Sequence, residues 1–167
     1  MAEVPLLNEL ARECAAEDVQ LYYLYVREAH PGDLVTPHRS YEEKLQRARA
    51  LHEEEGLELT LLVDGFDGPV HRAYGEGANM ACIVHRDGRL VYRAEWTDVE
   101  DLRREIEHLR RWDAWAAAGK RYRTSRVEKI HAWFETDETY EVRKRTYARA
   151  GELAVRDFVA KTGRSPI

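Results

Sequence analysis

Val19-Gln20-Leu21-Tyr22-Tyr23-Leu24-Tyr25-Val26-Arg27-Glu28-Ala29-His30-Pro31-Gly32-Asp33 is the stretch on which the reading of this chain turns. Residues 19–26 are almost unbroken apolar and aromatic and rich in β-formers. A segment apolar on both alternating faces reads as a buried central strand. It ends in charge at Arg27, Glu28 and His30, and Pro31-Gly32-Asp33 then forces a turn. Open α/β sheets place their sites where a buried strand delivers polar groups at its carboxyl end. The competing reading is a core strand followed by a polar loop without a role.

The flanking sequence supplies more strands and helices. Val4, Leu7, Leu10, Ala11 and Cys14 share one helical stripe, so residues 3–15 are expected to form a helix, with Pro5 tolerated in its first turn. Ser40 and Glu43 make a capping-box pattern that starts a helix over 41–54, and Gly56 stops it. Leu57, Leu59, Leu61 and Val63 alternate, which predicts a strand over 57–64. A turn cluster at 65–69 leads to a short helix, 70–74. Residues 80–85 and 90–96 read as strands joined by a hairpin turn with Asp87-Gly88 at its centre. Thr97 and Glu100 are expected to cap the next helix, with Val99, Leu102, Ile106 and Leu109 inward, running on toward Gly119. Strands 19–26, 57–64 and 80–95 are expected to form one mixed sheet covered by helices.

Composition bounds the function. The chain has 167 residues, 44% hydrophobic and 34% charged, with a net charge of −5. One domain with a real core and an appendage fits that length. The acidic balance argues against nucleic-acid and anionic-membrane partners. No stretch approaches the roughly 20 apolar residues of a membrane span, and the opening residues lack a signal-peptide pattern, so a cytoplasmic location is expected. The two cysteines, Cys14 and Cys82, are far apart and form neither a Cys-x-x-Cys nor a zinc pattern. No metal and no bound cofactor is expected. Cys14 lies on the apolar stripe and reads as an inert buried thiol. Cys82 reads as core, and His85, beside a turn, as solvated.

Tyr25-Val26-Arg27-Glu28-Ala29-His30-Pro31 resembles the Tyr-Ile-x-Glu-Ala-His segment of the iodothyronine deiodinase family, a branch of the thioredoxin-like proteins. Leu61-Leu62-Val63-Asp64, Ala73-Tyr74-Gly75 and Ile83-Val84-His85-Arg86-Asp87-Gly88-Arg89-Leu90-Val91-Tyr92 are similar to that family's later strand, helix and hairpin. The likeness covers roughly residues 2–110. It implies an α/β, thioredoxin-like mixed sheet flanked by helices over residues 1–118, with a C-terminal helical extension over 119–167. In the extension, Val127, Ile130 and Phe134 form one helical stripe, and Leu153, Val155, Phe158 and Val159 a second. Gly151 divides the pieces, and residues 163–167 are expected to fray. The extension either packs on the sheet or forms a homodimer.

The resemblance also implies chemistry. His30 corresponds to the histidine that helps protonate the aromatic ring as the halogen leaves, with Glu28 two residues earlier to orient it. His38 falls near a second loop histidine of the family, and Tyr25 matches in type. The reaction implied is reductive dehalogenation or thiol/selenol redox chemistry on a small-molecule substrate, with an external thiol reductant. The family's Sec or Cys motif and its leading strand fall just before Met1, so the 167 residues are expected to lack the nucleophile and to be inactive alone. A selenocysteine codon read as stop would produce that beginning. The chain departs from the pattern at Ala78 or Asn79, where thioredoxins carry a cis-proline, and at Met80, where the family has arginine. The alternative function is a non-catalytic thioredoxin-like binding or scaffold protein.

Overall fold

The computed structural model describes residues 3–127, 129–130 and 136–167, with Glu138 described by its backbone only. In chain order the elements are α1 Val4–Ala15, β1 Tyr22–Tyr25, α2 Tyr41–Glu54, β2 Thr60–Val63, α3 Pro69–Tyr74, β3 Ala81–Val84, β4 Leu90–Ala94, α4 Val99–Ala117, α5 Asp137–Ala150 and α6 Glu152–Thr162. They fall into two compact units. One holds residues 1–78 and 135–167, the other 79–134.

In the first unit, β1 and β2 pair in parallel, from Tyr22 opposite Thr60 to Tyr25 opposite Val63. Parallel neighbours need a crossover, and α2 supplies it. Ser40 starts α2 by accepting from the Glu43 amide at 3.2 Å, while the Glu43 carboxylate accepts from the Arg39 amide at 2.8 Å. This satisfies orphan donors at both sides of the helix start. Val4 of α1 packs with Leu57 and Leu59, and Leu7, Ala11, Leu21 and Tyr23 close around them. Leu10 and Cys14 on the same stripe are 2% and 1% exposed. Burying a leucine to that degree contributes about 1.5–3 kcal/mol. Asn8 fastens the helix to the turn beyond α2: its amide donates to Gly56 O at 2.8 Å and its oxygen accepts from Glu58 N at 2.9 Å. A second cluster, Tyr147, Ala150 and Ala154 with Val155 and Phe158, joins α5 to α6.

In the second unit, β3 and β4 form the expected antiparallel hairpin, with Gly88 at φ 85° in its turn and an irregularity at Ile83/Val84. Asp98, not Thr97, caps α4, accepting from Asp101 N at 2.9 Å. Thr97 instead donates its hydroxyl to Asn79 O at 3.0 Å. His85 is not solvated. Its Nε2 lies 2.9 Å from Asp113 and its Nδ1 3.0 Å from Asp87, and its ring stacks on Trp112 with centroids 5.5 Å apart. Hydrogen bonds to Asp113 and Asp87 raise the imidazole pKa. Two carboxylates can both be satisfied only by the doubly protonated ring. The folded value lies above the unfolded one, so the stabilisation is complete below about pH 6.5 and is lost as pH rises through the raised folded value. Urea midpoints at pH 5.5 and 8.5 are therefore expected to differ more in the wild type than in His85→Gln. Equal differences would show that His85 does not carry this dependence.

Further sequence expectations are corrected. A single mixed sheet does not form among the described residues: β1–β2 and β3–β4 are separate two-stranded sheets. The strands are also shorter than the apolar runs. Leu57 and Leu59 are core residues (each 5% exposed) placed before β2, so burial there comes from packing on α1 and not from strand pairing. Residues 120–127 and 129–130 form no helix, and Val127 and Ile130 are fully or nearly exposed at 81% and 102%. The run Lys120-Arg121-Tyr122-Arg123-Thr124-Ser125-Arg126 places like charges one turn apart, which disfavours a helix whose apolar stripe meets nothing. Phe134 lies outside the described residues. Near the C-terminus, Pro166 is buried, although the segment was expected to fray.

Candidate functional site

The carboxyl ends of β1 and β2 adjoin, since Asp64 N donates to Tyr25 O at 3.0 Å beyond the last strand pair. Tyr25 is the last residue of β1 and 5% exposed, so its side chain turns into the unit. Its hydroxyl lies 3.0 Å from His38 Nε2 and makes a longer 3.4 Å contact to Glu28 Oε2. The Tyr25 and His38 rings stand 5.6 Å apart. Three polar residues separated by up to 13 positions thus meet at one oxygen. The loop over 27–39 makes this happen by doubling back, with Gly32 N donating to Val35 O at 2.8 Å.

Electrostatics define the protonation states. Burial, reinforced by the neighbouring Glu28 carboxylate, pushes the Tyr25 phenol far above its ordinary range, so it stays protonated. Burial and then the Arg47 guanidinium lower the His38 pKa. Burial also lowers His30, with Glu28 acting weakly in the other direction. Both imidazoles are therefore neutral at pH 7. A phenol has one proton to give. When it goes to Glu28, His38 Nε2–H donates to the phenol oxygen; when it goes to Nε2, His38 carries its proton on Nδ1. Either way Nδ1 is the free end of the chain of hydrogen bonds, and it is buried without a hydrogen-bond partner among the described residues. Such an arrangement couples the protonation of His38 to the Tyr25 hydroxyl and Glu28, with Nδ1 as the position open to a further partner.

His30 stands apart from this cluster. Its ring packs on Tyr147 of α5, centroids 4.8 Å apart, and no hydrogen bond joins it to Glu28 among the described residues. Glu28 thus approaches Tyr25 and does not orient His30. A cleft of about 650 Å³ lies beside α5 and α6, with Asp33, Leu34, Tyr147 and Gly151 in its wall, and it includes none of Glu28, His30 or His38.

Tyr25 is buried in the core and also carries the hydroxyl of this cluster, and sequence reasoning missed the cations behind it. Lys44 is 1% exposed, and its ammonium donates to Gly65 O at 2.8 Å. Burial lowers its pKa, partly offset by Asp64. Arg47 donates to Glu43 at 2.9 Å and to the Thr36 carbonyl and hydroxyl, tying the loop to α2. The available signal was Lys44 at i−4 from Ala48, the other buried residue of α2. A lysine on the buried stripe is rare unless it has a partner.

The cysteines do not present an activated thiol. Cys14 is buried, and burial raises Cys82, with Arg93 only partly opposing it. No group of three or more histidine, cysteine or acidic residues suited to a metal occurs among the described residues. No helix among them is long and apolar enough to cross a membrane. Comparison with the models of known families, with curated proteins and with solved structures gave no match.

Proposed function

We propose that the chain is a deiodinase-like, thioredoxin-fold oxidoreductase whose described residues supply the proton-handling side of the site. The observation that carries this reading is the Tyr25 hydroxyl placed between His38 and Glu28 at the carboxyl end of a parallel strand pair. The order β1, α2, β2, α3, β3, β4, α4 also follows the element order of a thioredoxin-like fold, which is the finer fold proposed. In the reaction, a thiolate or selenolate attacks the halogen of an aryl substrate. The carbon–halogen bond breaks, the ring carbon takes a proton and the chalcogen takes the halogen. An external dithiol then reduces the chalcogen–halogen bond, releasing halide and leaving a disulfide. A proton from solvent reaches the ring carbon through His38, with the Tyr25 hydroxyl holding its Nε2, so that both side chains end as they began, and His30 belongs to the same loop. The nucleophile comes from neither Cys14 nor Cys82, because Cys14 is buried out of reach of a substrate and burial raises the Cys82 thiol. Thiol dependence suits the reducing cytoplasm, and a homodimer is compatible with the proposal.

The test is iodide release from an iodinated phenol with a dithiol and a small free selenol. The wild-type chain is expected to accelerate release at least about tenfold over the selenol alone, a modest share of what a positioned acid supplies. Tyr25→Phe and His38→Gln are expected to abolish the gain. With dithiol alone, turnover is expected at background, and robust turnover abolished by Cys82→Ser would make Cys82 the nucleophile. The second reading is a non-catalytic binding or scaffold protein. The packing of His30 on Tyr147 favours it, and an absence of acceleration in the selenol assay would select it.

A further inference from the structure

The loop that carries His30 is held along one seam by the joint of α5 and α6. Leu34 N donates to Ala150 O at 3.2 Å, and the Asp33 carboxylate accepts from Leu153 N at 3.0 Å. Gly32 lies so close that a Cβ there would stand 2.2 Å from Ala150 O. A Cβ on Gly151 would stand 2.2 Å from Asp33 Oδ1. His30 completes the seam through its ring contact with Tyr147.

This seam differs from ordinary core packing in two ways. First, α6 has no cap of its own: its N-cap is Gly151, and the carboxylate of Asp33, about 120 residues away in sequence, takes that role. Second, the α5–α6 hairpin has its own apolar cluster in Tyr147, Ala150, Ala154 and Phe158, with the Tyr147 and Phe158 rings 5.6 Å apart. Separating the loop from the hairpin therefore sacrifices one cap, one backbone hydrogen bond, one ring contact and the packing of Gly32 on Ala150 and Ala154, while the apolar cluster within the hairpin stays whole. Interactions that few and that local open well before global unfolding.

We propose that the α5–α6 hairpin is a cover over the His30 loop: Tyr147 shields one face of the partly buried His30 ring, and the ring becomes fully accessible only when the seam between residues 32–34 and 150–153 opens. What the cover regulates rests on the oxidoreductase reading above; its existence does not. The cover restrains the site by shielding one face of His30, and none of the seam contacts named above involves Tyr25, Glu28 or His38.

The experiment is carbethoxylation of the purified chain by diethyl pyrocarbonate at pH 7, with each histidine followed by peptide mass spectrometry. His108, exposed on α4, is the reference. A lowered imidazole pKa by itself speeds this reaction, so slow modification of His30 reports steric cover. In the wild type, His30 is expected to react at least about tenfold more slowly than His108. Asp33→Ala, which removes the α6 cap, and Gly32→Ala, which wedges the seam, are each expected to raise the His30 rate about five-fold while His108 is unchanged. If Gly32→Ala fails to fold by circular dichroism, Asp33→Ala decides alone, since Asp33 is exposed. A wild-type His30 that reacts as fast as His108, or an unchanged His30 rate in folded Asp33→Ala, would overturn the cover. Neither outcome depends on turnover, so failure here is distinguishable from failure of the selenol assay.

Discussion

Asp64→Ala is expected to lower the unfolding free energy by about 3 kcal/mol, because three donors lose their only charged acceptor at a buried site. Asp64 is 2% exposed. Its Oδ1 accepts from Gly65 N at 2.8 Å and Val70 N at 3.1 Å, and its Oδ2 from His71 N at 2.9 Å. One carboxylate thus closes the turn after β2 and caps α3. Burial pushes its pKa up, but the three amides and the Lys44 ammonium outweigh it and hold the group below the usual carboxylate range. The folded value is below the unfolded one. Its contribution is therefore present above about pH 4 and is lost as pH falls through the depressed folded value. Urea unfolding at pH 7 and pH 3 checks both parts: the variant is expected to lose stability at pH 7 and to show a shallower acid limb. Asp64→Asn keeps one acceptor oxygen without the charge and is expected to fall between. A loss under 1 kcal/mol at pH 7 would mean that water replaces the carboxylate at little cost.

Gly151→Ala is expected to cost about 2–4 kcal/mol. Gly151 has φ 99° and ψ 174°, a region that side chains other than glycine's rarely adopt. Space compounds the strain, since the new methyl would stand 2.2 Å from Asp33 Oδ1 and 2.7 Å from its Cγ. Gly163→Ala separates the two contributions. Gly163 has φ 69° but nothing within 4 Å of a Cβ, so its substitution is expected to cost only about 1 kcal/mol. A double-mutant cycle isolates the steric part: in an Asp33→Ala background the clashing atoms are gone, and Gly151→Ala is expected to cost about 1–2 kcal/mol less than in the wild type. Chemical denaturation of the four proteins measures this coupling. Additivity within 0.3 kcal/mol would show that Asp33 moves aside freely.

The local elements were readable because their causes are local. Ser40 and Glu43 act within four residues of each other, and α2 starts and ends as its caps and Gly56 require. The stripe of α1 and the Asp87-Gly88 turn likewise depend on neighbours in the chain. Glu28, His30 and His38 were legible as candidates, since charge following an apolar strand is visible in one dimension. Their partnerships were not. Tyr25 joins Glu28 to His38 because the 27–39 loop folds back, and His30 turns to Tyr147 because α5 lies across it. Alternating Leu57, Leu59, Leu61 and Val63 announced an extended segment, but alternation cannot say how much of it pairs and how much merely packs. Residues 120–127 and 129–130 show the same limit from the other side: a helical stripe forms a helix only where another surface covers it. The sequence by itself determined the α/β class, the main helices and where the polar groups emerge. The tertiary structure alone decided which strands pair, which groups share a proton and what covers His30, because those outcomes depend on desolvation and contact between residues distant in the chain.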